Sequence, residues 1–123
     1  FAALHNAGVQ LAFGSDSPVT PLGPWGAVHA ATHHRTPGVS VGVREAFHAH
    51  TAGAAHAALA GRATAVLRPG AAADIAVWRH PVGSGDTAHT VLASLAVQGA
   101  QESVTAALVL RSGNAIHTDG SLV

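Results

Sequence analysis

Residues 9–18 read VQLAFGSDSP. Five mostly apolar residues, Val9–Phe13, lie between Gly8 and Gly14, and three polar residues follow at once. A short apolar run bounded by glycines predicts a buried strand over Val9–Phe13. Upstream, Phe1, Leu4 and His5 share one helical face, and Gly8 stands where a helix stops. Residues 1–7 are therefore expected to be the last turns of a helix. A helix ending in glycine and feeding a buried strand is an α/β signature. Asp16 then sits at the mouth of that strand. It is one of only two acids in the first half of the chain, the other being Glu45. Two readings compete for it. Such folds put catalytic carboxylates just past the ends of parallel strands. Asp before Ser-Pro is also ordinary turn chemistry, and locally that is the commoner use. A nucleophile elbow is excluded, because Gly14-Ser15-Asp16-Ser17-Pro18 has Asp where the nucleophile belongs and Pro where the last Gly belongs.

Beyond Asp16 the chain alternates punctuation and helix. Pro18, Pro21, Gly23 and Pro24 mark a loop over 15–24. A helix is predicted from Trp25 to Arg35, with Pro24 suited to its first turn. After the turn TPGVS (36–40), Ser40 is a candidate N-cap for a helix through VGVREAFHAHT (41–51), where Val43, Ala46, Phe47 and His50 lie at helical spacing. A further Ala-rich helix is expected from Thr51 to Ala60, stopped by Gly61. The character changes near residue 65. A Pro-Gly turn leads to a β-like run from Asp74 to Trp78, and 104–118 read as two strands joined at Ser112-Gly113-Asn114. Residues 81–90 read as loop, and residues 91–100 favour neither helix nor strand. The expected organisation is two units, 1–65 and 66–123.

Composition limits the function. The chain has 123 residues, 48% of them hydrophobic, so it can bury a core. Formal net charge is zero and no basic stripe occurs, which argues against nucleic acid as a partner. The absence of cysteine excludes disulfides and thiolate metal sites. No apolar run approaches the ~20 residues of a membrane span, and no signal-peptide pattern opens the chain, so a cytoplasmic location is expected. The chain has no Met and opens on Phe1. That start implies a piece of a longer protein, with part of any site elsewhere.

Ten histidines invite a metal reading. His29 and His33 stand at i, i+4 on one predicted helix and could share an ion, but no Glu follows His29, so the zincin motif is absent. His48-Ala49-His50 has the His-x-His spacing that converges on a strand; on a helix it points the rings roughly 200° apart. Asp74, just before an apolar run, reads as a residue fixing the turn into its strand.

Taken in order, GVQLAFGSDSPV (8–19), GPWGAVHAATHHRTPG (23–38), SVGVREAFHAHTAGAAHAA (40–58), LRPGAAADIAVW (67–78) and LVLRSGNAIHT (108–118) resemble the C-terminal part of the amidohydrolase superfamily. The nearest likeness is to the YtcJ-like branch of metal-dependent hydrolases, amidohydrolase family 3. The resemblance implies a (β/α)8 barrel, of TIM type, beside a small β-sandwich built from both chain ends. Val9–Phe13 would be the last barrel strand, and residues 66–123 part of the sandwich. It implies a divalent metal ion, zinc foremost, and a small amide-type substrate. Asp16 would be both metal ligand and catalytic carboxylate, accepting a proton from the activated water. Ser15, Ser17 and Trp25 are the candidates for contacting substrate. The family's His-x-His, its bridging Lys or Glu and its remaining His ligands are not in this sequence and would lie upstream of Phe1. Gly23 stands where members often carry an Asp before Pro-Trp. By itself the chain is expected to be inactive, and the strand at 9–13 to lack its neighbours and expose its edges. The competing readings are a non-catalytic α/β scaffold or interaction module of the same fold, and a small His-rich metal-binding protein using His29 and His33.

Overall fold

A computed structural model describes residues 1–59, 65–80, 92–94 and 104–122. The first helix, α1 (Ala2–Asn6), closes as the sequence predicts. The Gly8 N–H bonds the His5 carbonyl at 2.9 Å and the Val9 N–H bonds the Leu4 carbonyl at 3.0 Å. With Gly8 at φ 81, this is a Schellman stop.

Val9–Phe13 does not form a strand. Val9 is 47% exposed, and only Leu11 and Phe13 pack against the core. The cause is the lack of a ladder partner, since the strands among the described residues pair only with one another. The segment instead lies on a helix. The Phe13 N–H bonds the Ala49 carbonyl at 3.0 Å, and the Leu11 carbonyl sits directly on Gly53, where a Cβ would collide with it. Apolar pattern marked the residues that touch the core but could not supply the hydrogen bonds that define a strand.

The second helix, α2 (Pro24–Thr32), has Pro in its first turn as expected. Its buried face is Trp25, Val28 and Ala31, at helical spacing. It ends before Arg35 because His33 leaves the helical region, at φ −124 and ψ 47. Ser40 does not cap the next helix. Its hydroxyl accepts the His34 N–H at 3.0 Å and so ties down the turn, and Gly42 takes the cap position. The following rod runs without the break expected at Thr51: α3 (Val43–His48), a π-helical turn (Ala49–Gly53) and α4 (Ala54–Ala57). Thr51 is accommodated because its hydroxyl bonds the Phe47 carbonyl at 2.9 Å, one turn back. The rod ends at Ala57, with Leu59 in the left-handed region at φ 56; the expected stop at Gly61 lies outside the described residues.

The sheet has three antiparallel strands in the order β1 (Ile75–Arg79), β2 (Thr105–Arg111), β3 (Asn114–Thr118). The β2–β3 hairpin turns on Ser112 and Gly113, at φ 49 and 81, so both central residues are left-handed as a type I′ turn requires. Ser112 tolerates that conformation because its N–H is held by the Asp74 carboxylate at 2.7 Å, while the Gly113 N–H bonds the Ala73 carbonyl at 3.1 Å. Asp74 is thus a structural residue that pins the hairpin tip to the start of β1.

Trp25, Val28, Ala31, Val41 and Ala46 form the core. Trp25 stacks on Phe47, with centroids 5.8 Å apart, and meets Trp78 of β1 edge-on at 5.5 Å. Each aromatic pair adds about 0.5–1.5 kcal/mol beyond area burial. Helices and one antiparallel sheet make the described residues a mixed α/β structure, with Trp78 as the sheet's link to the helices.

Candidate active-site loop

Asp16 occupies the left-handed region at φ 54, a conformation that Asp tolerates better than most residues. Its carbonyl accepts the Val19 N–H at 2.9 Å, closing the loop that follows. Ser15 completes the turn: its hydroxyl accepts the Ser17 N–H at 3.2 Å, and its carbonyl accepts the Thr20 hydroxyl. The Ser17–Pro18 peptide is cis. The backbone of Asp16 thus belongs to the turn, but its side chain does not. The residue is exposed, and among the described residues its carboxylate makes no hydrogen bond or ion pair. An Asp serving the turn would spend a carboxylate oxygen on a backbone N–H two residues on. Two residues on from Asp16 stands Pro18, which has no N–H to give, and the Ser17 N–H goes to the Ser15 hydroxyl.

The other candidate residues separate. Ser15 lines an open cleft of about 590 Å3, together with Phe1, Phe13, Ala31, His34 and His50. Ser17 is exposed on the loop and lines no part of that cleft. Trp25 is 8% exposed and lies in the core against Phe47 and Trp78, with its Nε1 buried.

His50 also lines this cleft, a place that its reading as half of a His-x-His pair did not give. Its ring meets Phe13 edge-on at 5.5 Å, and burial holds its pKa below the ordinary histidine value. The signal was a histidine among Val43, Ala46 and Phe47 on the apolar face of a helix. His48 lines a separate cleft of about 650 Å3 with His5, Arg44 and Glu45, so the His48/His50 pair does not converge, as helical geometry requires. His29 and His33 do meet, with rings 4.3 Å apart and 21° from parallel. Elsewhere His34 Nδ1 accepts the Thr36 N–H, and His117 Nε2 bonds the Ala106 carbonyl. Among the described residues no three His, Asp or Glu side chains come close enough to hold one metal ion.

The sequence profile of the amidohydrolase family matches residues 1–117. The chain belongs to the amidohydrolase family. Comparison with curated proteins and with solved structures finds no match. The family match covers both the helical part and the sheet, and it supports a hydrolase. No helix among the described residues is long and apolar enough to cross a membrane.

Proposed function

We propose that this amidohydrolase chain is the C-terminal segment of a metal-dependent hydrolase of the YtcJ-like branch, cleaving a C–N bond in a small amide-type substrate. In that reading, Val9–Phe13 becomes the last strand of a (β/α)8 barrel once neighbouring strands complete its ladder, and the β1–β3 sheet joins a β-sandwich. The observation that carries the proposal is the Asp16 carboxylate, free and exposed on a loop already closed by Ser15 and Thr20. A carboxylate in that state fits one ligand position on a divalent ion such as zinc. The other donors would come from residues other than those described, since among the described residues no three His, Asp or Glu side chains come together to hold an ion.

The metal, when bound, would lower the pKa of water to about 7 and so supply a nucleophile at neutral pH. Asp16 would accept the proton released as that water attacks the amide carbonyl. It would then return the proton to the leaving nitrogen, which otherwise departs as an unstable anion. Ser15, at the edge of the cleft beside Asp16, would contact the substrate. The test is metal dependence in the intact enzyme. Chelation should abolish release of amine from small amides, and zinc should restore it. Amide hydrolysis that survives complete metal removal would contradict the proposal.

A further inference from the structure

The cleft that Ser15 borders is walled by rings. Phe1, Phe13, His34 and His50 all line it. Phe1 meets Phe13 at 4.9 Å and the His34 ring edge-on at 5.5 Å, and Phe13 meets the His50 ring at 5.5 Å. None of the four is buried, so each keeps surface that a core cluster would have covered. Another part of the lining is the face of α2 that carries Gly26, Ala27 and Ala30, whose side chains are too small to fill the space. A Cβ built on Gly26, or on Gly14 in the same lining, meets no atom within 4 Å. No Asp, Glu, Lys or Arg side chain lines the cleft. Its two titratable side chains are the histidines. The His34 Nδ1 accepts the Thr36 N–H at 3.0 Å, which a protonated ring could not do, and burial lowers the pKa of His50. A space of about 590 Å3 with ring walls and no charge suits a flat, uncharged ring, since aromatic pairs prefer tilted or offset contacts at centroid distances of about 4.5–7 Å.

We propose that this cleft binds a planar, uncharged aromatic group of the substrate, with the scissile amide at its Ser15 rim. The inference rests on the hydrolase reading and names the substrate class of that site, an aromatic amide. Ser15 joins the cleft to the loop, since it lines the one and is followed at once by Asp16 in the other. A ring seated against Phe1 and Phe13 leaves its amide toward the loop that carries the free carboxylate. Affinity comes from the apolar area removed from water, and contact with the neighbouring rings adds to it. A saturated ring of the same bulk gains the first and not the second.

The test is equilibrium binding and turnover of small amides by the intact enzyme. Benzamide and acetanilide carry a flat ring on either side of the C–N bond, their cyclohexyl counterparts carry a saturated one, and acetamide carries none. At least one aromatic probe should bind about tenfold or more tighter than acetamide, and tighter than its saturated counterpart. Gly26→Leu adds its side chain in open space on a helix, so it should melt no lower than the wild type while weakening aromatic binding by about tenfold. Phe1→Leu keeps an apolar residue and removes a ring, and should lower the preference for flat over saturated rings. Aromatic binding that Gly26→Leu weakens, in a protein that hydrolyses no amide, would support the cleft and contradict the hydrolase reading. Hydrolysis of acetamide and the aromatic amides alike, or an aromatic preference that Gly26→Leu leaves unchanged, would overturn the aromatic site and leave the hydrolase standing. A shift from dimer to monomer in sedimentation of Gly26→Leu would also overturn it, because a second copy would then be the occupant of the cleft.

Discussion

At the scale of single residues, the structure separates two carboxylates that look alike in sequence. Asp16 and Asp74 both sit beside apolar runs next to turns. Asp74 spends its carboxylate on the Ser112 N–H and has a structural role. Asp16 leaves its carboxylate free. Asp74→Ala is therefore expected to destabilise the fold by about 1 kcal/mol, since a left-handed serine loses the partner of its N–H. Asp74→Asn, which keeps an acceptor oxygen, should cost less; chemical denaturation of the two variants checks the order. His50 gives a pH prediction. Its folded-state pKa is lowered by burial, so the unfolded chain binds its proton more readily. This contribution to stability is complete above the unfolded value of about 6.5 and is lost as pH falls below it. Thermal melts between pH 8 and 5 should show a fall on the acid side, and His50→Asn should flatten it.

At the scale of elements, legibility followed the source of each hydrogen bond. The α1 stop at Gly8, the Pro24 start of α2 and the Ser112-Gly113 hairpin were legible because local residue chemistry decides them. Ser40 and Thr51 depart from the roles their sequence suggests because their hydroxyls bond other backbone partners, the His34 N–H and the Phe47 carbonyl. Val9–Phe13 departs from the expected strand because pattern reports which side chains are apolar and not whether another strand lies alongside. Its contact with the π-helical turn leads to a further prediction. Gly53→Ala should destabilise by about 1–3 kcal/mol, because the added methyl group meets the Leu11 carbonyl with no room to yield. Alanine at the exposed Gly26 of α2 meets nothing and serves as the control.

At the scale of the whole molecule, the helical part and the sheet are joined through Trp78 against Trp25. The order of motifs along the chain pointed to the amidohydrolase family more firmly than any single motif, and the family match over residues 1–117 spans both parts. Asp16 could be picked out from the sequence because it follows an apolar run in a Gly-Ser-Asp-Ser-Pro loop. The freedom of its carboxylate was legible in part, since Pro18 two residues on has no N–H for it; that the Ser17 N–H goes to the Ser15 hydroxyl was not. The sequence placed His50 on the apolar face of a helix, but its approach to the Ser15 cleft depends on how residues 9–13 lie across that helix. The central claim is that Asp16 carries the proton in C–N bond hydrolysis, and the most direct test is kcat for Asp16→Asn in the intact metal-loaded enzyme. The account predicts a fall of about 10²–10⁴-fold with the fold preserved, against little change for Ser17→Ala. Asp16→Asn turning over at the wild-type rate would contradict it.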